Sequence, residues 1–118
     1  MNTLIIGNQP PDERTQAILR ALNGRTPDSA ARLDFDRLDD AWRLLSDERR
    51  TIMEAMAGAG PLAIREIARR VGRDVRAVHS DIRILLCAGV IDRIADGRVV
   101  LPYDTTRFEF TFTARRAA

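Results

Sequence analysis

Lysine is missing from this chain: all 19 basic residues among its 118 are arginine, a bias that GC-rich coding explains most simply. Cysteine is almost missing too. The single Cys87 excludes an internal disulfide framework and reads as a thiol packed near a helix end. There is one histidine, His79, so no Cys/His cluster has the spacing of a zinc site. His79 and Cys87 fall on one predicted helix, about 12 Å apart along its axis at 1.5 Å per residue, too far for a catalytic dyad. No glycine-rich loop matches a P-loop or dinucleotide fingerprint, and Asp39-Asp40 reads as a solvated helix face. No catalysis, cofactor or metal is therefore expected. No apolar run approaches the roughly 20 residues of a membrane span. The start, MNTLIIGNQPP, lacks a basic segment ahead of its short apolar run, so a signal peptide is not expected. The expectation is a cytoplasmic protein that does not enter a membrane.

What the chain does have is a globular composition, 45% hydrophobic and 31% charged. A chain of this length buries roughly two-thirds of its unfolded surface, enough for one modest core. Net charge is only +2, so its distribution matters more than its size. Residues 1–44 carry 6 arginines and 7 acids, whereas residues 45–118 carry 13 arginines and 10 acids. The stretch Arg65–Arg83 alone holds 6 arginines and 3 acids.

Thr3–Gly7 (TLIIG) is β-branched and bounded by Gly7-Asn8, which predicts a strand. Pro10 and Pro11 followed by Asp12 and Glu13 suit a helix start, with the helix ending near Asn23-Gly24. Residues 24–33 read as a linker. Phe35, Leu38, Trp42 and Leu45 recur at helical spacing and predict one apolar stripe. Ser46 is a predicted N-cap, with Ile52, Met53 and Met56 on the inner face of the helix behind it. Gly58, Gly60 and Pro61 end that helix. Ile64, Ile67, Ala68 and Val71 point inward from the next one; Gly72-Arg73 turns; Asp74 caps a third, which Gly89 closes after about Ala88. The period then changes to two. Val90–Ala95 and Arg98–Leu101 flank Asp96-Gly97, a signal for a two-residue hairpin turn, and Arg107–Thr113 (RFEFTFT) alternates strictly as a half-buried strand.

Helix, short turn, helix and hairpin is the order of a winged helix-turn-helix, an α+β fold that is mainly helical, here with extra N- and C-terminal strands. In such a fold the second helix protrudes, and the major groove of B-DNA accepts one helix. The third predicted helix divides its faces as this requires. Val75, Val78, Ile82, Leu85 and Leu86 anchor it; Arg76, His79, Ser80 and Arg83 share another face, with Arg73 in the turn before them. A guanidinium fork pairs bidentately with guanine N7 and O6, and it also grips phosphate. Arg65 and Arg69 on the preceding helix are phosphate candidates, and Arg93 and Arg98 flank the tip of the hairpin. Asp81 would repel phosphate and is expected to pair with a neighbouring arginine.

The run GPLAIREIARRVGRDVRAVHSDIRILLCAGVIDR, with DGRVVLPYD after it, resembles a bacterial and archaeal family of short winged-helix DNA-binding proteins often labelled MarR-like. The similarity rests on Gly60-Pro61, Arg65-Glu66, Ala68, Gly72-Arg73, Val78-His79, Asp81, Leu85, Gly89 and Pro102-Tyr103, together with Phe35, Trp42 and Leu45. It covers about residues 35–104 and is weak at both termini. It implies a transcriptional regulator, and in some members an antitoxin that represses its own operon and binds a toxin.

The expected organisation is an N-terminal arm (1–44), a winged helix-turn-helix domain (45–103) and a C-terminal strand with a basic tail (104–118). A single module makes few phosphate contacts, so a homodimer on a palindromic double-stranded operator is expected. Leu4, Ile6, Phe108, Phe110 and Phe112 are the dimerisation candidates, on terminal strands that pair either within one chain or between two. The alternative function is a winged helix used only for protein–protein contacts.

Overall fold

The computed structural model describes residues 2–10 and 30–114. The helix expected after Pro10 and most of the expected linker lie outside them. The described elements are β1 (Thr3–Gly7), β2 (Ala30–Asp34), α1 (Leu38–Leu44), α2 (Asp47–Met56), α3 (Ile64–Val71), α4 (Val75–Ala88), β3 (Asp92–Arg93), β4 (Val99–Val100) and β5 (Thr105–Glu109). The protein is thus α+β. No helix among the described residues is long and apolar enough to cross a membrane.

β1 is the centre of a three-stranded sheet, ordered β2-β1-β5, with both neighbours parallel to it. The terminal strands therefore pair within one chain. Leu4 and Ile6 are buried in the core beside helical residues from Leu44 to Leu85, so one apolar cluster spans both the sheet and the helices. This burial removes Leu4 and Ile6 from any exposed dimer surface. Gly7 is needed for close approach: a Cβ there would sit 2.6 Å from the backbone oxygen of Glu109.

Four sequence expectations change here. Residues 30–33 are not linker but most of β2. The last strand is Thr105–Glu109 rather than Arg107–Thr113, because β1 ends at Gly7 and the ladder ends with it. Beyond that point the Asn8 side chain alone continues the pairing, with its Nδ2 donating to the Thr111 carbonyl (2.6 Å) and its Oδ1 accepting from the Thr111 N–H (3.0 Å). The stripe of the first helix is rotated. Ala41, Leu44 and Leu45 are buried, Phe35 precedes the helix, and Trp42 is 57% exposed with its ring edge-on to Phe110 at 4.8 Å. The hairpin has a three-residue loop, since Ile94 pairs with Arg98 and Gly97 takes φ 90°. A type I turn followed by a left-handed residue suits the strand twist in a loop of that length. β4 also exchanges two hydrogen bonds with Leu62, of 2.8 and 2.9 Å, so a third short segment joins the hairpin.

Candidate nucleic-acid interface

Local chemistry sets where α3 stops and α4 starts. Gly72 adopts φ 68°. The N–H of Arg73 then reaches the Ala68 carbonyl (3.1 Å) and that of Gly72 the Arg69 carbonyl (3.3 Å), a left-handed cap that a side chain at this position would strain. Asp74 follows as N-cap, its carboxylate accepting from the Arg76 N–H at 3.0 Å. Gly89 repeats the same closure at the far end, with φ 81° and the Val90 N–H on the Leu85 carbonyl. α3 and α4 are thus two capped rods joined by a three-residue turn, Gly72–Asp74.

The 14-residue α4 has two unlike faces. Val78, Ile82 and Leu85 are fully buried, and Asp81 is buried among them. Arg76, His79, Ser80 and Arg83 are exposed. At about 100° per residue, Arg76 and Arg83 lie directly across the helix from the buried set, two turns and ~10.5 Å apart. Neither guanidinium has an ion pair among the described residues; Arg65 on α3 is likewise exposed and free. Ser80 donates its hydroxyl to the Arg76 carbonyl at 3.2 Å. Two residues depart from expectation. Val75 is exposed rather than anchoring the helix, because one turn earlier the core has already ended. Cys87 is exposed on the outward face, not packed at the helix end.

The other arginines are engaged within the chain. Arg73 turns inward, its Nη1 donating to Asp81 Oδ2 at 2.9 Å. Arg49 of α2 meets the other oxygen of the same carboxylate at 3.0 Å and also donates to the carbonyls of Arg43 and Leu44 at the end of α1. Asp81 thus ties the turn, α2 and α4 together, and Arg73, expected to face a duplex, is paired within the chain. The sequence hinted at this, since a carboxylate within an apolar helix face requires a partner. Nothing singled out Arg49, whose contact spans 32 residues.

Arg69 and Arg70 both donate to Glu66. Hydrogen bonds from Arg69, and then from Arg70, hold the Glu66 carboxyl down to about 2, so these two cations carry one anion between them. On the hairpin, Arg98 pairs with Asp96 at 2.7 Å. The Arg98 N–H and side chain hold the Asp96 carboxyl below its ordinary range. Arg93 reaches the Gly97 carbonyl at 3.4 Å. Of the arginines expected to face a duplex, the geometry leaves Arg65, Arg76 and Arg83 uncommitted.

Residues 44–108 match the family model described as HVO_A0114. This chain belongs to the HVO_A0114 family. The HVO_A0114 segment takes in α2, α3, α4, the hairpin and most of β5, so it contains the whole outward face of α4; the description names no activity. No curated protein and no solved structure matches the chain.

Proposed function

We propose that this protein is a sequence-specific transcriptional repressor that binds double-stranded DNA through a winged helix-turn-helix formed by α2–α4 and the β3–β4 hairpin. The observation that carries this reading is the division of α4. A helix of about 10–12 Å diameter fits a major groove about 12 Å wide. This one presents two arginines, unpaired among the described residues, and a serine on the side away from its anchors, with a histidine on the flank. Residues near the N-terminus of a recognition helix reach base edges. Arg76, His79 and Ser80 take that role, while Arg83 and Arg65 neutralise phosphates. The hairpin is the wing, its tip charges Arg93 and Arg98 lying against the backbone of the duplex.

Two copies on a palindromic operator supply the phosphate contacts that one lacks, each worth about 0.9 in the logarithmic salt dependence. The chain works in the cytoplasm, where such an operator lies. The MarR-like resemblance extends the reading to an autorepressing antitoxin with a cognate toxin, which co-purification with the neighbouring gene product tests. A protein-docking module without DNA binding is the rival reading, favoured by the exposed Val75 and Ile84 on the same helix. Gel-shift on the DNA upstream of the protein's own gene separates them. Arg76→Ala weakens the complex by about 1–3 kcal/mol and relaxes specificity if α4 reads bases. Arg83→Ala weakens binding uniformly across sequences and lowers the salt slope by about 1. Neither matters if the helix docks a protein.

A further inference from the structure

β5 is an edge strand, and among the described residues nothing pairs with its outer side. Within β5 Phe108 is 44% exposed, and Phe112, three residues past the end of the strand, is 86% exposed. Phe108 also lines a groove of 680 Å³ with Trp42, Leu45, Met53, Ala57 and Thr106. β5 is short and carries Arg107 and Glu109, yet its outer backbone groups are unpaired among the described residues, and such an edge can template strand addition unless something covers it. We infer that a second copy of this chain covers it, by antiparallel pairing of β5 with the partner's β5 such that Phe108 lies opposite the partner's Phe108. This names the two-fold partner in the DNA-binding reading and rests on that reading for its purpose.

Backbone parity and charge together select the register. The Thr105 N–H bonds the Asn2 carbonyl, and the Thr111 N–H bonds the Asn8 side chain. In a parallel ladder alternate residues turn both backbone groups to one neighbour. Residues 105, 107, 109 and 111 therefore face β1, leaving the N–H and C=O of Thr106, Phe108 and Phe110 outward. An antiparallel partner must bond these groups to its own outward set, so each outward residue meets another outward one. Centring on Arg107 sets that arginine against itself, and centring on Glu109 opposes two carboxylates. Centring on Thr106 or Phe110 places neither charge against its opposite. Within one chain Arg107 already meets Glu109 at 3.5 Å, and Arg32 reaches the other oxygen of Glu109 at 3.5 Å. Only centring on Phe108 adds the partner's Glu109 across from Arg107, and it does so twice, at the non-hydrogen-bonded positions where side chains come closest. The same register sets the partner's Phe110 over Thr106 at the mouth of the groove. The interface is isologous, as a two-fold dimer requires.

The test uses the full-length protein without DNA. In a Cys87→Ser background, Phe108→Cys is expected to give a disulfide-linked dimer on mild oxidation, and Arg107→Cys is not. By sedimentation equilibrium in an Arg32→Gln background, which removes the guanidinium that pairs with Glu109, Arg107→Glu should weaken the dimer about tenfold by opposing carboxylates, and the double change Arg107→Glu/Glu109→Arg should restore it. The far-ultraviolet circular dichroism of each variant reports that the chain is folded. A strict monomer at tens of micromolar, cross-linking through Arg107→Cys instead, or failure of the charge swap to rescue overturns the inference. Because no duplex is present, failure here and failure of the DNA-binding reading are read separately.

Discussion

The turn before α4 and the outer face of α4 both carry arginine, and the two regions use it in opposite ways. Arg73 and Arg76 are three residues apart. Arg73 bends under the helix onto Asp81, 2.9 Å away; Arg76 points outward with no carboxylate in reach among the described residues. The two side chains are chemically identical, so the difference lies in the backbone. Gly72 in the left-handed region and the Asp74 cap direct residue 73 toward the inner side and begin the helix that carries residue 76 around to the outer one. An arginine-rich stretch is thus two populations, one paired with carboxylates of its own chain and one without a carboxylate partner among the described residues.

The comparison breaks most severely if its inward half is removed. Asp81→Ala leaves Arg49 and Arg73 facing each other in a largely buried site without their anion. Loss of one partner of a buried pair costs about 3 kcal/mol or more, read as a lower urea midpoint. The contrast sharpens with single alanine changes at the two arginines. Arg73→Ala should lower unfolding free energy by about 1–2 kcal/mol through the lost charged hydrogen bond, whereas Arg76→Ala should change it by less than about 0.5 kcal/mol, as for an exposed side chain without partners. Equal losses at both positions would erase the distinction.

The smallest effect concerns Glu66, which occupies Arg69 and Arg70. Its folded carboxyl is held at about 2 against an ordinary value of 4.5, so its contribution to stability is complete above about pH 4.5 and fades as pH falls toward 2. Thermal melts across that window should show a slightly shallower acid limb for Glu66→Gln. The difference should shrink further in high salt, since the group is on the surface.

The helical half of the molecule was legible because its instructions are local. Ser46 does accept the Arg49 N–H (3.2 Å), Asp74 does cap α4, and Gly72 and Gly89 do close their helices. Each of these signals involves residues only a few positions apart. The sheet was less legible because its partners are far apart in sequence. AARLD has no alternation of its own to announce a strand; β1 makes it one, residue for residue from Thr3 against Ala30. RFEFTFT alternates throughout, yet only part of it is strand, because the length of β1 decides where pairing ends. The site divides the same way. Helical spacing placed Arg76, His79, Ser80 and Arg83 together on α4, but it could not distinguish Arg73 from them. Arg73's fate depends on Asp81 and on Arg49, a residue from another helix.

The most direct measurement is a paired one on the double change Arg76→Ala/Arg83→Ala: binding to a fluorescent duplex from upstream of the protein's own gene at fixed salt, alongside the urea midpoint of the same sample. The account predicts affinity lower by at least about tenfold, from a base contact at Arg76 worth roughly 1–3 kcal/mol together with a phosphate contact at Arg83, with the midpoint unmoved. Undiminished binding with a folded protein would contradict it, because the duplex would then be held by some surface other than the outward face of α4.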